Sequence, residues 1–305
     1  MTWMEKLADH YERERRRYPN DAFLIVFDID GTILDMRHSM LHVLRAYDRQ
    51  HGTCHFDDID LMDLDDEGRV ASLVARLGLG AEDRLRVLDW YRVERWSPEA
   101  ILRSHTPFAG VMEVIRWFQI QSNTFVALNT GRPESVRLDT IRTLNTLGQE
   151  YKVRFNDGLL HMNPYGWHHR VREAKVEGVR RFLDAGYRVV ACVDNQSENL
   201  RAVSEIDPEG EILLLHADTT FRSVRTGAGA RIVSGRGYDL TELAREDRLP
   251  RHVHFVWHGL NDVANLRQFL GSNVRWGEVD VQWHPTGRYP ILRHDRFDEI
   301  GRAHV

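Results

Sequence analysis

An α/β fold organised on a doubly wound parallel sheet is predicted by three observations on the 305-residue sequence. Short, continuously apolar runs bounded by polar residues recur along it, as strands covered on both faces require. Helical patterns separate those runs, and such alternation marks βαβ units. Carboxylates, amides and hydroxyls follow directly after three of the runs, and in open α/β sheets ligands bind beyond the carboxyl ends of the strands.

Residues 3–17 read as a charged amphipathic helix with Trp3, Leu7 and Tyr11 at helical spacing and a solvated ERERRR face. FLIVF (23–27) is the first strand, and TFVAL (124–128), RVVACV (188–193) and EILLL (211–215) repeat its character. VMEVIRWFQ precedes the second run, ESVRLDTIRTLNTLG follows it and EAKVEGVRRFLDAG precedes the third, each ending in Gly or polar residues. Between 36 and 106 the rhythm breaks: MLHVLRAYD, ASLVARLG and EDRLRVLDWYRVERW are helical in period and no strand is clear, so this is an inserted helical subdomain. The stretch 217–250, with RTGAGARIVSGRGYD, reads as a linker or surface excursion. VHFVW, NDVANLRQFLG, VRWGEVDVQW and YPILRH then give a strand, a helix and a hairpin turning at HPTGR.

The domain boundaries that follow are an N-terminal helix at 1–20, an α/β sheet core at 21–36 and 107–216, the helical insertion at 37–106, the linker at 217–250, and a small α+β extension at 251–305. A composition 42% apolar and 29% charged with a net charge of -5 suits a soluble globular protein and disfavours a nucleic-acid partner. The opening residues are too charged for a secretory leader and no stretch is long and apolar enough to span a bilayer, so a cytoplasmic, membrane-free protein is expected. Cys54 and Cys192 have no metal-site spacing and read as reduced thiols. Oligomeric state is not legible.

The chemistry concentrates at three strand ends: Asp28-Ile29-Asp30-Gly31-Thr32, Asn129-Thr130-Gly131-Arg132 and Asp194-Asn195. Like charges as close as Asp28 and Asp30 repel, and a divalent cation that neutralises one while the other stays protonated makes the pair tolerable. Only three of the 41 basic residues are lysine, namely Lys6, Lys152 and Lys175, so a lysine retained where a compact ammonium is useful gains weight. Each of these residues also has a plainer reading: an Asp, Asn or Thr at a strand end caps the next helix.

Taken together, DIDGT, NTGR, Lys175 and VDN resemble, in identity and order, the motifs of the haloacid dehalogenase-like hydrolases of the phosphatase type. The resemblance covers residues 21 to about 216, and the insertion is similar in place and size to that family's helical cap. It implies a Mg2+-dependent phosphatase acting on a small phosphomonoester through an aspartyl-phosphate. In that scheme Asp28 is the nucleophile and Asp30 the acid and base. Thr130, Gly131 and Arg132 bind the phosphoryl group. Lys175, or alternatively Lys152, offsets charge, and Asp28, Asp194 and the backbone carbonyl of Asp30 hold the metal. Glu198 and Asn199 stand where some relatives have a further aspartate, which implies a supporting role. An aspartate two residues after the nucleophile argues against dehalogenation.

The tail is similar to the opening of the glycerophosphodiester phosphodiesterase barrels, with His258 and Gly259, Glu278 and Asp280, and His294 and Asp295 at the matching positions. About 50 residues cannot close a barrel, which needs roughly 200. A packed appendage, a metal- or phosphate-binding remnant and a phosphodiesterase site all stay open for it.

Overall fold

The computed structural model describes residues 1–64, 70–219, 231–244, 256–272, 274–284 and 286–292. The chain divides into two compact units, Met1–Leu243 and Ala244–Val305.

In the first unit six parallel strands, β1 (Phe23–Phe27), β2 (Thr124–Pro133), β3 (Leu160–Asn163), β4 (Arg188–Asp194), β5 (Leu213–Ala217) and β6 (Ile232–Gly235), form one sheet in the order β3-β2-β1-β4-β5-β6. Helices α1 (Trp3–Arg17), α6 (Val111–Gln119) and α7 (Arg137–Gly148) pack in the core that takes Phe23, Ile25 and Phe27 from β1. Helices α8 (Val171–Asp184) and α9 (Ser197–Ser204) pack in the one that takes Leu24 and Val26. Successive side chains of one strand thus feed opposite cores, which is why FLIVF is apolar throughout and buried at every position. The chain reverses its direction of winding across β1 and β4, and the crevice at that switch point is where such sheets take ligands.

Between β1 and α6 the described chain is helical: α2 (Met36–His51), α3 (Val70–Arg76), α4 (Ala81–Glu94), α5 (Pro98–Arg103) and a single 3-10 turn at Leu61–Asp63. Asp35 caps α2 through the Arg37 N–H, and Ser97 caps α5 with Pro98 at its first position. The sequence pattern did not reveal α5, because PEAILR is too short to show a period.

Two strands also depart from the sequence expectation. LHMN (β3) is four residues long with two polar members, and IVSG (β6) falls inside the stretch expected to be a linker. β6 instead pairs with β5 in register, Leu214 with Ile232 through Ala217 with Gly235, and α10 (Leu240–Leu243) packs on α1. Tyr238 between them is buried, and its hydroxyl donates to the carbonyl of Thr32 at 2.8 Å. Residues 231–243 therefore belong to the sheet and its packing, and the correction to the linker is physical: a strand at the edge needs few apolar residues because one side of it is unpaired.

The second unit holds β7 (Val256–Trp257), α11 (Val263–Leu270), β8 (Trp276–Gly277), β9 (Val281–Trp283) and β10 (Pro290–Leu292). β7 and β8 pair in parallel, and β9 and β10 form the antiparallel hairpin that HPTGR predicts. Among the described residues no helix is long and apolar enough to cross a membrane.

Candidate active site

Register brings the polar strand ends together. Phe27 of β1 pairs with Leu128 of β2 and with Val193 of β4, so the next residue of each strand, Asp28, Asn129 and Asp194, emerges at one level of the same rim. α8 then delivers Lys175 to that level. Its Nζ donates to Asp28 Oδ1 at 2.6 Å and to the carbonyl of Asn129 at 2.6 Å, and pairs with Asp194 Oδ2 at 2.8 Å. Those are the three protons of an ammonium, each with an acceptor. Asn129 grips the lysine a second time, donating from Nδ2 to its backbone carbonyl at 2.8 Å. Such closeness of α8 to β2 requires Gly178, where a Cβ would fall 2.5 Å from Asn129 Oδ1.

Thr32 ties the DIDGT turn to the β4 loop: its hydroxyl accepts from the Asn195 N–H at 2.9 Å and donates to Asp28 Oδ2 at 3.4 Å. Gly31 makes the turn possible with a φ of 75°, a left-handed conformation that a Cβ disfavours. Asp194 accepts from the Gln196 N–H at 2.8 Å and from Asn199 Nδ2 at 3.2 Å to both carboxylate oxygens. Behind Asn195, His216 Nε2 donates to its carbonyl at 3.0 Å.

Asp30 lies apart from this cluster in its bonding. Arg132 is wholly buried, and its Nε donates to both carboxylate oxygens of Asp30, at 3.0 and 2.9 Å, while Nη2 is 2.5 Å from Oδ1. The other guanidinium nitrogen donates to Thr140 at 3.2 Å. His105 completes the network. Its Nδ1 faces the carbonyl of Ile101 at 2.8 Å and must donate, so its Nε2 is the acceptor for Arg132 Nη2 at 2.9 Å and the ring is neutral. Burial, then the charge of Arg132, push His105 down to about 4.

The two aspartates of DIDGT consequently carry opposite electrostatics. Burial pushes Asp28 up to about 7, with Lys175 opposing and Asp194 and Asp30 adding to the rise. Burial would raise Asp30 as well, but the charge and hydrogen bonds of Arg132 outweigh it and hold that carboxyl below the ordinary range. This reverses the expected assignment, in which Asp30 was the protonated partner, because a buried bidentate arginine favours the ionised form.

A cavity of about 460 Å3 opens over Asp28, Asp30 and Lys175, lined also by Gly131, Trp167, His168, Arg170, Arg172, Asn195 and Asn199. That volume suits a small-molecule ligand. Arg132 was expected to bind the phosphoryl group, but its guanidinium is committed to Asp30 and it does not line the cavity. Thr130 is also absent from the lining: it is buried, and its hydroxyl accepts from the Arg132 N–H at 3.2 Å. Lys152, the alternative lysine, is exposed in a turn with a φ of 56° and makes no contact with Asp28.

Among the described residues no cluster of three His, Cys, Asp or Glu side chains is arranged to hold a metal ion. Asp28 and Asp194 still fit magnesium, which is commonly held by one or two carboxylates with further oxygens. Both offer hard oxygen donors within reach of a single ammonium, and burial, with the charges of Asp194 and Asp30 behind it, raises the Asp28 carboxyl in a way that a bound cation would oppose.

In the second unit the β7–β8 pairing sets His258 beside Glu278, Nε2 to Oε2 at 3.4 Å, and Glu278 also accepts from the Gly259 N–H at 3.0 Å. Asp280 is bonded instead to Asn261, whose Nδ2 donates to it at 2.7 Å. His294 lies outside the described residues.

Sequence reasoning placed Asn129 and Thr32 at the rim without foreseeing what they hold, and it missed His105 altogether. Asn129 and Thr32 sit inside the motifs, whereas His105, in the polar RSHTP stretch, carries no signal beyond its residue type.

The motif order DIDGT, NTGR, Lys175 and VDN is thus matched by side chains that meet at one rim of a doubly wound sheet. The chain resembles the haloacid dehalogenase-like hydrolases. Solved structures similar to it include a HAD-superfamily hydrolase from Geobacter sulfurreducens (12% identity, 76% of this chain and 98% of that one, TM-score 0.47). A HAD family hydrolase from Deinococcus radiodurans, with bound phosphate and sodium, is similar at 14% identity over 71% of this chain and 93% of that one, TM-score 0.42. A predicted phosphatase from Clostridium acetobutylicum is similar at 11% identity over 71% and 94%, TM-score 0.44. No protein-family model and no curated protein sequence matches the chain.

Proposed function

We propose that the protein is a Mg2+-dependent phosphatase that hydrolyses a small phosphomonoester through an aspartyl-phosphate on Asp28. The observation that carries this reading is the position of Lys175 Nζ, bonded at once to Asp28 at the end of β1 and Asp194 at the end of β4, at the floor of the 460 Å3 cavity. Two buried carboxylates and one ammonium focused on one point beside a cavity are the clustered titratable groups that functional sites gather.

Asp28 attacks phosphorus, and it must be ionised to do so, which the charge of Lys175 and of a cation held by Asp28 and Asp194 would favour. The metal, when bound, supplies Lewis-acid stabilisation of charge on the phosphoryl oxygens. Lys175 holds the carboxylate at 2.6 Å and aims it, and Asn129 holds the lysine. Gly131 and Asn195 line the cavity beside Asp28, where the transferred group would sit. Asp30, kept ionised by Arg132, accepts the proton of the water that hydrolyses the intermediate. The leaving oxygen in the first step departs with its charge or is protonated by solvent, which selects leaving groups of low basicity.

The helices α2 to α5 serve in this reading as the cap, and Trp167 and His168 as the wall that limits leaving-group size. The test is release of phosphate from 4-nitrophenyl phosphate with and without Mg2+. Activity that depends on Mg2+ and is lost in Asp28→Asn supports the reading, and activity that survives Asp28→Asn overturns it.

A further inference from the structure

Around Trp96 the molecule buries more positive charge than it neutralises. Arg132 lies with its guanidinium carbon 5.7 Å from the centre of the Trp96 ring, and Arg95 lies 4.8 Å from it. Asp30 answers Arg132, and His105 is neutral by its hydrogen bonds. Arg95 is only 7% exposed, yet among the described residues no carboxylate pairs with it, and its Nη2 has no hydrogen-bond partner. The Nε1 of Trp96, the neighbouring residue, is a second buried donor without an acceptor. Asp30 feels the charge of Arg95 but, already held by Arg132, does not pair with it, and two orphan donors on adjacent residues ask for one acceptor between them.

The place of these donors relates them to the cavity. Arg95 stacks on Trp167 with 4.2 Å to the ring centre, and Trp96 meets the same ring edge-on with centroids 4.6 Å apart. Trp167 lines the cavity, so both residues pack against its wall without lining it themselves. Burial first, and then the charge of Arg95, lower the affinity of His168, another wall residue, for a proton. The segment that carries the wall, from Gly166 to Arg170, contains three left-handed residues: Gly166 at 88°, His168 at 63° and Arg170 at 47°.

We propose that Arg95 Nη2 and Trp96 Nε1 form a buried subsite that receives an anionic group on the leaving-group side of the substrate, a carboxylate or a second phosphate. This rests on the phosphomonoester reading of the cavity. It makes Arg95 a specificity residue: it comes from the insertion, it stacks on Trp167 of the cavity wall, and it selects esters with two anionic ends over those with one. Arginine suits the role because its planar fork matches carboxylate and phosphate oxygens alike.

The experiment is calorimetric titration, in Mg2+ and without turnover, of methylphosphonate, phosphonoacetate and propane-1,3-diylbisphosphonate into wild type, Arg95→Met and Arg95→Lys. At least one of the two dianionic-ended probes binds wild type 10-fold or more tightly than methylphosphonate, and the one that does identifies carboxylate or phosphate. In Arg95→Met the preference falls to twofold or less while methylphosphonate is unaffected, and Arg95→Lys retains part of it. Arg95→Met also melts at or above the wild-type temperature, because an unpaired buried charge has been removed. Equal binding of all three probes by wild type overturns the proposal, as does a preference that survives Arg95→Met. A lower melting temperature in Arg95→Met with an unchanged preference assigns Arg95 a structural role and overturns it too. Failure of phosphate release from every monoester overturns the phosphatase reading while leaving these affinities measurable, so the two can fail separately.

Discussion

Lys175 Nζ lies 2.6 Å from Asp28 Oδ1, so an ammonium from the first turns of α8 neutralises the carboxylate at the tip of the central strand. Lys175→Met removes that charge and leaves Asp28 facing Asp194 alone. Breaking a buried ion pair costs about 3–5 kcal/mol. Asp28 has a folded pKa pushed up to about 7, above its unfolded value, so its stabilising contribution is present at acid pH and is lost as the pH rises through about 7. Without the ammonium that loss is larger and extends to higher pH. Because Asp194 loses its partner too, urea melts are expected to show a deficit for the variant at pH 6 and a larger one at pH 8.5, and phosphate release is expected to fall ~100-fold or more.

His105 gives a second pH dependence of opposite direction. Its folded pKa is lowered to about 4 by burial and by Arg132, so the unfolded chain binds the proton more readily, and stability falls as the pH drops from 6.5 toward 4. His10, His161 and His168 are shifted downward as well and add to the wild-type slope. The diagnostic is therefore a difference: His105→Gln is expected to lose less stability than wild type between pH 6.5 and pH 4, by a few kcal/mol on the ~1.4 kcal/mol per unit scale. Parallel slopes for the two proteins would mean that His105 is protonated in the folded state.

The grip of Arg132 on Asp30 bears on which esters turn over. A positioned general acid contributes roughly 100-fold to 10,000-fold to such a step. With Asp30 held ionised that contribution is missing for leaving-group departure, so kcat/KM is expected to fall steeply with leaving-group pKa. A series of substituted phenyl phosphates and one alkyl phosphate measures the slope. A flat dependence would show that Asp30 donates a proton after all.

Tyr238 closes over the catalytic turn from a part of the chain that carries no motif. Its hydroxyl donates to the Thr32 carbonyl at 2.8 Å, and its backbone leaves no room at Gly110, where a Cβ would fall 1.9 Å from the Tyr238 carbonyl oxygen. Tyr238→Phe is expected to cost ~1–3 kcal/mol, the penalty of an unmatched buried carbonyl, and to lower kcat without a comparable change in KM. Chemical denaturation and initial rates test both parts.

The same residue shows where the sequence stops being readable. FLIVF, TFVAL, RVVACV and EILLL announce strands because both of their faces are covered, and the residues after three of them are the ones that meet at the rim. IVSG and LHMN lie at the two edges of the sheet, where one flank is unpaired, so neither needs a continuous apolar run. Lys175 was legible by its rarity and its distance before Asp194. Arg132 was legible as a polar residue after a strand, but not the direction it takes: a phosphate ligand and a partner for Asp30 look alike in NTGR, and only the packing of His105 and Thr140 around the guanidinium decides between them. Residues such as Arg95 and Trp96 end a helical period that places them in the turn after α4 and says nothing of the charge they bury.

Metal binding can be separated from turnover through stability. A ligand that binds only the folded state stabilises it by RT ln(1 + [L]/Kd), about 2.7 kcal/mol at 100 times Kd. If Asp28 and Asp194 hold Mg2+, saturating MgCl2 raises the melting temperature of wild type by several degrees relative to EDTA, and NaCl at matched ionic strength does not. Asp194→Asn keeps the hydrogen bond from the Gln196 N–H and the volume of the side chain but loses the charge, so its melting temperature is expected not to respond to Mg2+. In that variant Lys175 retains Asp28 as a partner, which keeps the fold intact enough for the comparison. An undiminished Mg2+ response in Asp194→Asn would place the cation elsewhere, and no response in wild type would leave Lys175 as the only counter-charge to these carboxylates.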